Sequence, residues 1–160
     1  MLLSDVPAIA AHHAPDVKAV TFRDKSFTYT ELRDRCWRLS NALIPLTEPG
    51  DRCAILAENG SEYVECYYGV PGASLALTLL NYRLSPRELA YIIGNAAPRI
   101  LFVEAKYLPT IRQIRAEIPS VERLVVIDGQ AEDAVGYEDF LATGAPSDQL
   151  AEVEARTRRE

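Results

Sequence analysis

The sequence predicts an α/β fold: three layers, a mainly parallel sheet with flanking helices, and a β-hairpin near the N-terminus. Three observations predict it. Short apolar runs recur at RCAILA (52–57), SLALTLL (74–80), RILFVE (99–104) and ERLVVID (122–128). Helix-length amphipathic stretches separate them, which is the pattern of right-handed βαβ crossovers. At 160 residues and 48% hydrophobic, the chain can bury one real core and is too short for two comfortable ones.

The elements follow in order. SDVPAIAAHHA (4–14) reads as a short capped helix stopped by Pro15. KAVTFR (18–23) and SFTY (26–29) alternate in polarity and make a hairpin across Asp24 and Lys25, without the glycine such turns favour. The second strand runs into TYTELRDRCWRLSNAL, where Thr28 and Glu31 form a capping box and Phe27 and Leu32 its staple. Leu32, Cys36, Leu39 and Leu43 then recur at helical spacing as one core stripe, with Trp37 packing beside it. Pro45, Pro49 and Gly50 end that helix.

Asn59 and Glu62 read as another capping box, opening GSEYVECYYGVPG. The unbroken run SLALTLL is expected to be a strand buried on both faces. Ser85, Pro86 and Glu88 open the next helix, with Leu84 and Leu89 as staple, and Asn95 to Pro98 close it. YLPTIRQIRAEI (107–118) is expected to be a continuous helix with Ile111, Ile114 and Ile118 on one face, and YEDFLATG (137–144) a short one. Residues 1–145 make up the α/β region. Residues 146–160 are expected to be a loosely held charged tail or the start of a linker, with only Leu150 and Val153 to anchor it.

Charge excludes some functions. The net charge of −6 repels a phosphate backbone, and no basic run interleaved with aromatics offsets it, so no nucleic-acid partner is expected. The stretch MLLSDVPAIAAHHAP lacks the basic start of a secretory signal, and no 18-residue apolar run offers a membrane span. Cys36, Cys53 and Cys66 are odd in number and contain no C-x-x-C pair. They read as buried free thiols of a cytoplasmic protein.

The chemistry-bearing motifs are missing. There is no G-x-G-x-x-G, no G-x-x-x-x-G-K-[ST] and no G-x-S-x-G. GVPGAS (69–74) leads from helix to strand, the reverse of the polarity that aims backbone N–H groups at phosphate. The carboxylate pairs Glu62/Glu65 and Glu138/Asp139 are expected to be solvated on polar helix faces. His12 and His13 are adjacent, so on a helix they diverge by about 100° and share no ligand. Tyr63, Tyr67 and Tyr68 read as helix-on-sheet packing. Tyr82 and Arg83, in the loop after SLALTLL, are the polar pair best placed to touch something. No catalytic, cofactor-binding or metal residue is assigned.

One further pattern spans residues 15–145. FTYTELRDRCWRLSNAL, PGDRCAILAENGSEYVECYYGV, GASLALTLLNYRLSPRELAYII and PRILFVE follow one another in order. Together they resemble the N-terminal part of the adenylate-forming acyl-CoA synthetases, the AMP-binding, fatty-acid–CoA ligase family. NYRLSPREL points to the acyl-CoA ligase branch. Two positions depart from the family's habit: VPGAS stands where Lys-Ala-Gly-Ala is common, and Leu79 where Pro is common. The resemblance implies a complete enzyme that activates a carboxylic acid with Mg-ATP and passes the acyl group to coenzyme A. In that family the phosphate loop, the nucleotide and magnesium motifs and the catalytic Lys all come after this region. The resemblance therefore carries no catalytic residue or cofactor onto these positions. It implies an inactive fragment whose partner is the remainder of the synthetase, with self-association through any surface left bare. The alternative is a stand-alone, non-catalytic module that binds a partner protein or an acyl ligand.

Overall fold

In a computed structural model, which describes residues 1–148 and Val153, the chain forms seven strands and six helices among those residues. After a 3₁₀ turn at Leu3–Asp5 comes α1 (Val6–His13). Strands β1 (Lys18–Phe22) and β2 (Lys25–Thr28) pair antiparallel, with Phe22 opposite Lys25. The turn is therefore Arg23–Asp24, and Arg23 takes the left-handed conformation, φ +55°, that glycine would usually supply.

Helix α2 (Tyr29–Leu43) starts at the expected box: the Glu31 N–H donates to Thr28 Oγ1 at 3.2 Å, and the Thr28 N–H to Glu31 Oε2 at 2.7 Å. Its stripe Leu32, Cys36, Leu39 and Leu43 is buried. Strand β3 (Arg52–Leu56), α3 (Ser61–Gly72) and β4 (Ala76–Leu79) follow. Next is α4 (Pro86–Ala96), with the Ser85/Glu88 box formed and Ala97 in the left-handed cap position. The chain continues through β5 (Ile100–Val103), α5 (Leu108–Gln113), β6 (Arg123–Val126), β7 (Val135–Gly136) and α6 (Tyr137–Ala142).

Strands β3 to β7 make one parallel sheet in the order β4-β3-β5-β6-β7. One face carries Ile55, Phe102 and Val125 under α2, α3 and α6. The other carries Leu56, Leu101 and Val126 under α4 and α5. On the first face α2 and α3 approach closely. A Cβ at Gly69 would lie 2.9 Å from Leu39 Cδ2 and 3.0 Å from the Cys36 carbonyl, so glycine is required there. Ser40 Oγ donates across this crossing to the Gly69 carbonyl at 2.7 Å.

Five expectations are corrected. Asn59 does not cap α3. Gly60 takes the cap position with no side-chain bond, because Glu62 turns to Lys25 (3.2 Å) and to the Ser61 hydroxyl (3.0 Å). SLALTLL is not buried on both faces. Among the described residues strand β4 is the sheet edge, paired only with β3, and Leu79 is 49% exposed. The stretch 107–118 is not one helix. Arg115 donates to the carbonyls of Ile118 (3.2 Å) and Val121 (2.6 Å), and residues Arg115–Glu117 tighten into a 3₁₀ turn, although Ile111, Ile114 and Ile118 all stay buried. Tyr67 is exposed rather than packed, in edge contact with Tyr68, while Tyr63 packs on the core as expected.

The fifth correction concerns the acids. Glu62 and Glu65 are buried, not solvated, and Glu65 is 0% exposed. A buried carboxylate is costly unless hydrogen-bonded and paired. Glu65 accepts from Arg35 Nε at 2.7 Å and from the Tyr137 hydroxyl at 2.9 Å. Arg35 turns its other two nitrogens to Glu138, at 2.7 and 3.1 Å, and lies over the Phe27 ring. Burial raises the Glu65 carboxyl above its ordinary value, while the Arg35 bonds hold Glu138 below its own. Of the charged tail, Val153 packs against the core of the α2 and α3 face. Leu150 and most of that segment lie outside the described residues.

Two predictions follow from the Arg35 junction. Glu65→Ala leaves the buried Tyr137 hydroxyl without its acceptor and Arg35 with Glu138 alone, and lowers stability by about 1–3 kcal/mol, read from urea unfolding midpoints. The second concerns acid. Because Glu138 sits below its ordinary value of 4.5, its contribution is complete above that pH and is lost as pH falls through the folded value. Glu138→Gln therefore flattens the loss of stability as pH falls below 4.5, measured by the same unfolding series.

Candidate functional site

In an open parallel sheet, ligands gather beyond the carboxyl ends of the strands, where the strand order reverses. Here β3 is followed by β4 on one side, and α4 then carries the chain back to β5 on the other. The reversal therefore lies between β3 and β5. A crevice of about 150 Å³ opens at that point, lined by the loops after β3 (Glu58, Asn59, Gly60) and β5 (Glu104) and roofed by the hairpin turn (Arg23, Lys25).

Most of the acids and lysines at this edge are held by a neighbouring loop, while the Arg23 guanidinium lies 5.1 Å from the ring centre of its neighbour Phe22. The Glu58 N–H donates to Glu104 Oε2 at 2.8 Å, and the Ala105 N–H to Asp128 Oδ1 at 2.7 Å. These two carboxylates clip three successive loops together. Lys106 Nζ lies 2.7 Å from Glu58 Oε1 and 3.5 Å from Glu104 Oε2. The Tyr107 hydroxyl donates to the same Glu58 oxygen at 3.0 Å. Bonds from Lys106 and Tyr107 hold the Glu58 carboxyl below its usual range, and the Glu58 carboxylate raises Lys106. Lys25 pairs with Glu62 at 3.2 Å, which ties the hairpin to α3.

Tyr82 and Arg83 reach the same edge. The Tyr82 ring stacks on Tyr107 at 6.1 Å between centroids, and the Arg83 guanidinium lies 5.6 Å from the Tyr82 ring centre. The sequence singled out this pair but not Tyr107, on which Tyr82 stacks, nor Glu58, Glu104 and Lys106 beside it. No local pattern marks them, since their meeting depends on the order of the strands.

The other residues singled out lie elsewhere. His12 and His13 are exposed at the end of α1, their rings edge-on at 5.2 Å. Cys36, Cys53 and Cys66 are buried and free, and burial pushes the Cys53 thiol up to about 12, so it stays protonated and unreactive. Among the described residues no group of three or more His, Cys, Asp or Glu side chains is placed to hold a metal ion. None of the described helices is long and apolar enough to cross a membrane.

The strand order and the reversal beside β3 define a doubly wound α/β domain, preceded by an antiparallel hairpin. The chain belongs to the AMP-binding enzyme family, whose model matches residues 8–157. It is 37% identical over 134 residues to a 3-methylmercaptopropionyl-CoA ligase of Ruegeria pomeroyi, covering 79% of this chain and 25% of that protein. It is 38% identical over 120 residues to a long-chain-fatty-acid–CoA ligase of Thermus thermophilus, covering 74% of this chain and 22% of that protein. The chain thus spans about a quarter of the length of these relatives.

Among solved structures, an anthranilate CoA ligase in complex with anthranoyl-AMP superposes with a TM-score of 0.87 at 23% identity, over 92% of this chain and 29% of that one. That likeness is one of fold. A putative long-chain-fatty-acid CoA ligase from Rhodopseudomonas palustris superposes with a TM-score of 0.83 at 26% identity, over 88% of this chain and 36% of that one.

The clip between the first two loops is testable. Glu104→Ala removes the acceptor for the Glu58 N–H, and hydrogen exchange at that amide should accelerate at least about tenfold. The bond to a charged group is worth about 1.5–3 kcal/mol locally. Amides of the β5 core should keep their protection.

Proposed function

We propose that this chain is the N-terminal region of an ATP-dependent acyl-CoA ligase and carries no catalytic, nucleotide-binding or metal-binding residue of its own. In the complete enzyme it supports the site at which a carboxylic acid and Mg-ATP become an acyl-adenylate, before the acyl group passes to coenzyme A. Its residues 1–145 are the α/β unit of that scaffold, its working partner is the remainder of the ligase, and its setting is the cytoplasm.

The family match over residues 8–157 carries the reading of scaffold. The carboxyl-edge crevice supports the reading of inactivity. Small-molecule sites occupy about 300–1,000 Å³, and this crevice encloses about 150 Å³. Adenylation needs cations free to meet the phosphates and the departing pyrophosphate. Lys25 and Lys106 are instead neutralised by Glu62 and Glu58. Arg23, over the ring of Phe22, is a single guanidinium where a triphosphate and its departing pyrophosphate need several cations, so the lining does not fit a nucleoside triphosphate.

Carboxylate-dependent exchange between ATP and pyrophosphate tests this. The full ligase polypeptide containing this chain should catalyse it with a fatty or other organic acid, and the 160-residue chain alone should not. Exchange by the isolated chain above the buffer rate would overturn the proposal. Silence from the full polypeptide with every acid tried would favour the non-catalytic module.

A further inference from the structure

We propose that the free edge of β4 is a strand-addition surface, and that the strand it accepts is β4 of a second copy of this chain, paired antiparallel about a two-fold axis. Among the described residues strand β4 has a neighbour only on the β3 side. The Ala76 N–H donates to the Asp51 carbonyl at 3.0 Å and the Leu80 N–H to the Ile55 carbonyl at 2.9 Å. Backbone groups alternate sides along a strand, so the N–H and C=O of Leu77 and Leu79 point to the open edge.

Proteins blunt such edges with Lys, Pro, bulges or a covering segment. Residues 72–82, GASLALTLLNY, contain neither a charge nor a proline. Apolar surface adjoins the edge: Leu79 is 49% exposed, Tyr67 45% and Leu3 43%, around a groove of about 180 Å³ that Leu75 and Leu77 also line. An open ladder beside an apolar groove is the chemistry of strand addition.

A second copy fits this edge for a reason of charge. In a two-fold pair every residue near the axis meets its own kind, so any charge there would repel itself. The uncharged run avoids that. With Thr78 on the axis, Leu77 faces Leu79 of the second copy and exchanges both backbone bonds with it, and the reciprocal pair does the same. All four leucines then lie on one face, beside the Tyr67 groove. The product is a continuous ten-stranded sheet, five strands from each copy.

The test is sedimentation velocity on the 160-residue chain, with two variants. Wild type should run as a dimer of twice 17.8 kDa. Leu79→Lys, at an exposed position, should weaken dimerisation at least about tenfold with an unchanged circular dichroism spectrum. Thr78→Cys should form a disulfide-linked dimer on oxidation, because the three native thiols are buried. A wild-type monomer at about 100 μM, well above a micromolar Kd, overturns the proposal. So does a dimer indifferent to Leu79→Lys, or the absence of a Thr78→Cys crosslink. These outcomes are independent of the exchange assay, so failure here leaves the ligase reading standing.

Discussion

Arg35 joins three helices that are far apart in sequence. From α2 it reaches Glu65 on α3 and Glu138 on α6, while Tyr137 at the start of α6 completes the Glu65 carboxylate. The arrangement is demanding. A carboxylate at 0% exposure is tolerated only with donors in place, and here they come from two other helices, Arg35 of α2 and Tyr137 of α6. The pairing therefore acts less as added stability than as a constraint on how the layer over Ile55, Phe102 and Val125 assembles. Phe102 packs edge-on against both Tyr137 and Phe140, so the polar junction and the apolar core lock together.

The same layer depends on backbone contact that no larger residue would permit. Gly69 lets α3 rest on Leu39 and the Cys36 carbonyl, and Gly144 lets the chain after α6 lie against the α2 backbone at Arg38 and Ala42. Arg38 in turn donates to the Gly144 carbonyl at 3.0 Å. With α2 held from both sides, the hairpin that precedes it is fixed over the carboxyl edge. There Lys25 meets Glu62 and the turn roofs the crevice. Carboxylates at the edge serve as clips between loops, with their lone pairs given to backbone N–H groups and to Lys106 and Tyr107. These ties fix the loops after β3, β5 and β6 relative to one another.

Edge strand β4 is the counterpoint. Its leucines are the most apolar run in the chain, yet Leu79 stands half in solvent. An apolar run signals that a strand is to be covered, not by what. Among the described residues β4 has a strand on one side only, and its leucines are the part of the sheet that the fold leaves open.

What the sequence determined by itself is local. Alternation marked β1 and β2, the Thr28/Glu31 and Ser85/Glu88 boxes marked two helix starts, and the stripe from Leu32 to Leu43 marked a buried face. Each depends on residues within one or two turns of one another. The ordered segments also carried the family, because their sequence-local grammar is what relatives share. Tertiary structure alone decided the rest. Glu62 and Glu65 sit on a helix at spacings that read as solvated, and only the arrival of Lys25, Arg35 and Tyr137 from other elements makes their burial affordable. Likewise a crossover of fixed hand can place the next strand on either side of the last, so the order β4-β3-β5 is not written in any one segment. That order put β4 at an edge and made the loops after β3 and β5 neighbours. Burial and strand order are properties of the whole packing, and no window of the chain contains them.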